Sequence, residues 1–275
     1  MSAEAAISAL AQDAELRTWS LIVTIFGDLA RAPGAEIPGP VLSAITARIG
    51  IKPEAMRVAL HRLRKDDWLA SRREGRVSHY GLTDAGRAES ERATARIYAA
   101  GPPNPSRWHL LLAGPMDPAA RLEREGVQAA AGYLCLAPGA WLGPGPAPAD
   151  ADGMFAFEGE PVHLPEWLRD EIMPPELAAA YRDFAETLAG AAKALPCGEI
   201  AALDRAALRV LVVHGWRRLV LRHPDLPDVF FPENWAGPRA RAQVLRLLDR
   251  LGQPAIESIG AEIRSARLDE APSRS

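Results

Sequence analysis

The segment Ile45–Leu63, ITARIGIKPEAMRVALHRL, constrains this chain more than any other stretch. Two helices that meet at a sharp angle need a small residue at the crossing, a glycine at the turn, and spaced apolar anchors in the second helix. Ala47, Gly50 and Ile51, then Met56, Ala59/Leu60 and Leu63, meet those demands. The spacing predicts one helix after Pro40 that carries Val41, Leu42, Ile45 and Ile49 and is closed by Gly50 as a left-handed cap. A second helix is predicted from about Pro53 to Trp68, since proline is favoured in a first turn where its missing N–H has no partner. With positions 56, 59/60 and 63 turned inward, its opposite face presents Glu54, Arg57, His61 and Lys65. Arg62 and Arg64 lie on the flanks, and Lys52 stands just ahead.

The neighbouring segments extend this unit. Trp19, Ile22, Val23, Phe26 and Leu29/Ala30 recur at helical spacing, and that helix is expected to end near Arg31, before the Ala-Pro-Gly-Ala stretch at 32–35. Leu69 to Leu82 alternates around Glu74-Gly75, which predicts two short strands with Arg72, Arg73 and Arg76 around a tight turn. Thr83-Asp84-Ala85-Gly86 then opens a further helix to about Ala99.

Charge singles out the same region. The net charge is −3, yet residues 57–80 hold seven basic side chains against three acidic ones (Asp66, Asp67, Glu74). A basic island on a mildly acidic chain implies a focused anionic partner. A basic stripe on the second helix of such a pair fits a DNA major groove, and an arginine-rich hairpin after it fits a wing on phosphate or minor groove. The planar fork of Arg57 matches guanine O6 and N7. Arg64, Lys65, Arg73 and Arg76 have the character of phosphate contacts, which position without specifying, and His61 is divided between groove contact and surface filler. Two blander readings stand beside this one: a three-helix packing unit whose arginines only solubilise it, and a winged helix used for protein contacts.

A break at Gly101-Pro102-Pro103-Asn104-Pro105 ends the first unit, because three prolines in five residues cannot continue a helix. Trp108–Ala113 reads as a strand, followed by a helix rich in Ala, Arg and Glu through about Ala130. Tyr133–Leu142 reads as a second strand interrupted by Pro138-Gly139, 143–153 as a surface loop, and Met154–Phe157 as a third strand. Helices are expected at 175–194, 204–222, 238–251 and 254–267, with a polar tail at 269–275. The expected class is α+β in three parts: a winged helix-turn-helix over 1–100, a middle domain over 101–174, and a helical domain over 175–275.

Several chemistries are excluded. Cys135 and Cys197 are 62 positions apart, so no CxxC pair or disulfide framework exists, and the six histidines include no HxxxH or HxH pair. No phosphate-binding loop and no nucleophile motif appears, and neither a metal nor a cofactor is expected. No apolar run approaches the ~20 residues of a membrane helix, and the N-terminus lacks a basic stretch ahead of an apolar one. A cytoplasmic compartment without membrane association follows as the expectation.

Arg57–Leu69 (RVALHRLRKDDWL) followed by Gly75–Thr83 (GRVSHYGLT) resembles the winged-helix part of the phenylacetate-degradation transcriptional repressor family (PaaX-like). Far downstream, His214–Leu226 (HGWRRLVLRHPDL), with Pro227, Pro232 and Trp235-Ala236-Gly237, resembles that family's C-terminal signature. One departure is Asp67, where the family usually has glycine before the tryptophan, a change expected in a local cap. The resemblance implies a ferredoxin-like middle domain and a helical C-terminal domain for effector binding and dimerisation. It implies a homodimer that binds double-stranded operator DNA, represses an aromatic-acid catabolic operon, and is released by an acyl-CoA thioester such as phenylacetyl-CoA.

The segment with Arg209, Arg217, Arg218 and Arg222, and Arg239 and Arg241 beyond it, has two readings. One is an anion pocket for the phosphates of a CoA ester, with Trp235, Phe230 and Phe231 walling an aryl group. The other is a set of salt bridges to Asp225, Asp228, Glu233 and Asp204, with the aromatic residues pinning a Pro-rich loop. An enzymatic alternative is a ferredoxin-like metal-dependent nuclease using Asp117, which a helix N-cap role would explain equally.

Overall fold

The computed structural model describes residues 2–13, 17–101 and 107–269; the proline cluster at 102–105 and most of the polar tail lie outside them. The described residues form eleven α-helices and two small antiparallel sheets, a mixed α and β chain. They pack as two compact units, neither a continuous length of chain. Unit 1 is Met1–Tyr98, Asp183–Arg218 and Arg239–Ser275; unit 2 is Ala99–Arg182 and Leu219–Pro238.

Unit 1 begins with α1 (Ala3–Asp13), α2 (Thr18–Leu29), β1 (Glu36–Pro38), α3 (Gly39–Arg48), α4 (Pro53–Lys65), the hairpin β2 (Leu69–Glu74) and β3 (Val77–Leu82), and α5 (Asp84–Ile97). The predicted helix over 53–68 stops at Lys65, and α1 and β1 were not foreseen. A three-residue strand is too short for an alternation to show, and β1 exists because it pairs with β3 at Glu36–Gly81, Ile37–Tyr80 and Pro38–His79. The sheet order is β1-β3-β2.

Unit 2 carries β4 (Trp108–Leu112), α6 (Pro118–Ala130), β5 (Leu134–Ala137), β6 (Ala140–Pro144), β7 (Phe155–Glu158) and α7 (Glu166–Ile172). The sheet order is β5-β6-β4-β7 with every neighbour antiparallel, so β4 and β5 run parallel with β6 between them. Pro138-Gly139 does not interrupt one strand as expected. It turns the chain back between β5 and β6, with Gly139 in the left-handed region at φ 82°. Also in this unit, Trp108 meets Phe230 edge to face at 5.1 Å, and Arg169 of α7 donates to the carbonyl of Phe231 at 3.0 Å.

The remaining helices are α8 (Pro175–Ala194), α9 (Ala202–Val220), α10 (Gly237–Leu251) and α11 (Ile256–Asp269). α9 has no exposed face along Ala206–Trp216: Ala206, Val210, Leu211, Val213 and Trp216 are buried, and so are the polar Arg209 and His214, as expected of a helix surrounded by others. Its N-terminus is satisfied by Glu262 of α11, whose carboxylate accepts from the backbone of Ala202 at 2.6 Å and Leu203 at 2.9 Å. No described helix is long and apolar enough to cross a membrane.

One buried ion pair joins the N-terminal helices to α9. The guanidinium of Arg209 donates to Asp28 of α2 in a fork, Nε to Oδ2 at 2.9 Å and Nη2 to Oδ1 at 2.8 Å, and its Nη1 donates to the carbonyl of Leu248 at 2.9 Å. Tyr98 donates its hydroxyl to Asp28 Oδ1 at 2.6 Å, and Gln253 donates to the Asp28 carbonyl. Burial first, and then the neighbouring Asp28 charge, raise the Tyr98 pKa, so the phenol stays a donor. Asp28→Ala leaves Arg209 buried without its counter-charge and is expected to lower unfolding free energy by about 3–5 kcal/mol, read from urea midpoints. Tyr98→Phe, which removes one bond and keeps the pair, is expected to cost about 1–3 kcal/mol in the same assay.

Candidate nucleic-acid interface

The turn between α3 and α4 is set by a Schellman cap. Ile51 N–H donates to the Thr46 carbonyl at 2.9 Å and Gly50 N–H to the Ala47 carbonyl at 2.9 Å, with Gly50 at φ 92°. α4 then places Met56, Ala59, Leu60 and Leu63 in the core and packs on α2. Thr46 donates to Leu42 O at 2.9 Å and also reaches Met56 Sδ at 3.3 Å, so the two helices touch where the small residues allow it.

The opposite face of α4 is exposed and basic. Arg57 is 71% exposed and stands 3.7 Å from Glu54, a loose pair one turn away. His61, Arg64 and Lys65 are exposed, and Lys52 occupies the extended position ahead of the first turn. The cations at 62, 64 and 65 also lie at the negative end of the helix dipole. Arg62 is held from two sides, its guanidinium 5.4 Å above the Trp19 ring and its Nε 3.6 Å from Asp66. Trp19, at one end of the apolar stripe of α2, is 38% exposed and lies under that arginine.

The same cap geometry ends α4. Trp68 N–H donates to the Leu63 carbonyl at 2.8 Å and Asp67 N–H to the Arg64 carbonyl at 3.3 Å, with Asp67 left-handed at φ 52°. Position 67 therefore demands what glycine supplies without cost, which gives the sequence departure noted there its physical meaning. Beyond the hairpin, Thr83 caps α5 by accepting from Gly86 N–H at 3.0 Å and donates to the Asp67 carbonyl at 2.5 Å. Gly86 itself has no room for a side chain, since a Cβ there would lie 2.2 Å from the Trp68 carbonyl oxygen.

At the hairpin the three predicted arginines part company. Arg72 donates to Glu36 Oε2 at 2.8 Å and to Glu74 at 2.9 Å. Its charge is thus matched by two carboxylates, and the bonds from Arg72 hold the Glu36 carboxyl below its ordinary range. Arg73 turns its Nε to the Gly75 carbonyl at 3.2 Å, and Arg76 is exposed beside the tip; neither makes an ion pair among the described residues. The arrangement offers a row of outward guanidinium and ammonium groups along one helix, with more at a hairpin tip.

The residues of the second predicted cluster divide between the two units. Arg217 turns inward and donates to the Ser20 carbonyl at 3.3 Å and Thr24 Oγ1 at 3.1 Å, and burial lowers its pKa. It belongs with Arg218 to unit 1, whereas Arg222 and Trp235 belong to unit 2. Trp235 stacks on Phe231 at 4.3 Å and meets Tyr181 and His223 edge-on, packing that pins the Pro-rich loop. Arg209 pairs with Asp28 and Asp204 with Arg48, both partners lying in the N-terminal segment and not among the downstream residues expected from the sequence. Asp117 Oδ1 accepts from Ala119 and Ala120 N–H, both at 2.9 Å, as an N-cap. Among the described residues no group of three or more His, Cys, Asp or Glu could hold a metal ion.

Fold and site thus define an α/β protein of two units that presents a basic helix and hairpin on one of them. Residues 17–86, which span α2 to the first turn of α5, match the family described as PaaX-like protein, and residues 174–259 match the PaaX-like protein C-terminal domain. The chain belongs to the PaaX-like family. It is 30% identical over 256 residues to the transcriptional repressor PaaX of Escherichia coli (strain K12), covering 86% of this chain and 81% of that protein. In overall fold it is similar to the uncharacterized protein Rv0674 from Mycobacterium tuberculosis, with a TM-score of 0.51, 19% identity, and coverage of 88% of this chain and 97% of that one.

The cap at position 67 gives a direct test. Asp67→Gly is expected to raise unfolding free energy by about 1 kcal/mol, by relieving a left-handed conformation in a non-glycine residue. A lower urea midpoint for the variant would contradict that account.

Proposed function

We propose that this protein is a transcriptional repressor of an aromatic-acid, phenylacetate-type catabolic operon, and not an enzyme. In this reading residues 1–100 form a winged helix-turn-helix in which α4 enters the major groove and the β2–β3 hairpin is the wing. The observation that carries it is the exposed basic face of α4, which lies inside the segment matched by the family. The order α2-β1-α3-α4-β2-β3 and the sheet order β1-β3-β2 support it. The identity with the repressor PaaX of Escherichia coli supports the regulatory role.

Residues 101–174 are read as a ferredoxin-like domain, supported by the split arrangement of β4 and β5 around β6, and 175–275 as the helical effector and dimerisation domain. The protein acts as a homodimer, whose two copies of α4 meet operator half-sites about 34 Å apart or a multiple of that. An aryl-CoA thioester such as phenylacetyl-CoA releases it from DNA. Arg57 reads a base edge, with His61 beside it. Lys52, Arg62, Arg64, Lys65, Arg73 and Arg76 contact the backbone, and Arg72 steadies the wing through Glu36.

Fluorescence anisotropy of a labelled fragment from the gene's own upstream region, at two salt concentrations, tests this reading. Arg57→Ala is expected to cost about 1–3 kcal/mol on the preferred sequence and to relax specificity. Arg76→Ala is expected to weaken binding to all sequences alike and to reduce the salt slope by about one unit. Unchanged affinity and slope in both variants would refute the groove assignment. Binding that phenylacetyl-CoA leaves intact would keep the repressor and remove that effector.

A further inference from the structure

Unit 2 contains a cavity of about 460 Å³ between α6, β4 and the loop that follows β6, within the size range of small-molecule sites. Leu111, Met116, Val127 and Met154 give it apolar walls. Its polar lining is Gln128 and Tyr133 with the charged Glu123, Arg124, Asp150 and Asp152, and Gln128 is the most enclosed of these. It is 8% exposed and lines the cavity, and its carbonyl is used by the α6 cap, where Tyr133 N–H donates to it at 3.0 Å. Its side-chain amide makes no hydrogen bond among the described residues. The residue is largely buried, yet its amide atoms are not sealed in the core, so the cavity is the side from which a partner can reach them.

The walls are held by polar contacts that a ligand can exploit. The Tyr133 hydroxyl lies 2.9 Å from His109 Nε2, and His109 Nδ1 lies 3.0 Å from the Gly145 carbonyl. A carbonyl only accepts, so in the neutral ring Nδ1 carries the proton and Nε2 accepts from Tyr133. This chain runs from the cavity wall to the start of the loop that supplies Pro148, Asp150 and Asp152 on the other side. Arg124 closes the rim through a 2.8 Å pair with Asp152, which is 81% exposed and left-handed at φ 51°. An ion pair that exposed contributes little, so an incoming acceptor can replace Asp152 at the guanidinium.

We infer that this cavity is a ligand site for a small molecule with an apolar body and a neutral carbonyl head, since Glu123, Asp150 and Asp152 outnumber Arg124 in its lining. Gln128 donates to the head, Arg124 serves as its second donor at the rim, and the body lies against Leu111 and the two methionines. The site differs from the arginine cluster of the C-terminal half. It goes beyond the repressor reading, which assigns the effector to 175–275, and operator binding without ligand, measured in parallel, separates failure of one from failure of the other.

The test is calorimetric titration of the full chain with phenylacetate, phenylacetamide and phenylacetyl-CoA, so that acid, amide and thioester heads are distinguished on one body. At least one of the two neutral heads is expected to bind once per chain. Gln128→Leu, shown to be folded by its urea transition, is expected to weaken that binding at least about tenfold. Ala120→Phe, which fills the space from α6, is expected to abolish it. Failure of both neutral heads on the unaltered chain overturns the assignment. Wild-type affinity in both variants overturns it as well.

Discussion

The pairing of Asp28 with Arg209 is the constraint on which the arrangement of unit 1 rests. A carboxylate 1% exposed and a guanidinium 9% exposed are tolerable in a core only as a pair with their remaining hydrogen-bonding capacity satisfied. Here Tyr98, Leu248 and Gln253 complete the set, so α2, α9 and α10 and the segments that follow α5 and α10 are held by one network. α2 also packs on the apolar side of α4. An ion pair at one end of α2 therefore fixes the platform that decides which face of α4 meets solvent. Hydrophobic burial alone would hold these helices together but would tolerate sliding, whereas a bidentate fork does not.

Helix ends perform the corresponding task locally. α3, α4 and α6 all finish in a left-handed residue, Gly50, Asp67 and Gly132, followed by an N–H that reaches back five residues. In each case the residue after the left-handed one matters elsewhere. Ile51 enters the turn before α4, Trp68 anchors the hairpin under Gly86, and Tyr133 lines the cavity of unit 2. The caps therefore set where the next functional element begins. Asp67 fills one such position with a residue ill suited to it, and the surrounding bonds to Thr83, Leu63 and Arg64 over-determine the conformation.

What could be read from the sequence follows the range of the interaction responsible. The buried face of α4, the Gly50 turn, the hairpin around Gly75 and the α6 helix start depend on residues a few positions apart, and periodicity exposes them. The partner of Arg209 lies 181 positions away. Nothing in its local sequence distinguished Asp28 from Asp204 or Asp225. The pairing of Arg72 with Glu36 escaped for a related reason, because it depends on β1, a strand whose existence is owed entirely to β3. The interleaving of residues 183–218 and 239–275 with the N-terminal segment is likewise a product of long-range packing. Gln128 gave no signal at all, since a glutamine on an amphipathic helix reads as surface until its burial is known.

These differences in range divide the cations into two populations that composition alone merges. Arg48, Arg72 and Arg209 each meet a carboxylate through a direct hydrogen bond, and Arg217 is turned into the core. Their charge is compensated or enclosed and is held within the protein. Arg64, Lys65, Arg73 and Arg76 form no ion pair among the described residues, and Arg57 has only a distant one. Only side chains of this second kind can exchange solvent counter-ions for a phosphate partner, because a neutralised arginine must first lose its own carboxylate. The tally of basic residues in 57–80 therefore overstates the charge available to an anionic surface by Arg72 at least. The uncompensated cations are those on the outer face and C-terminal end of α4 and at the hairpin tip, so the free positive charge of this region is narrower than its composition suggests.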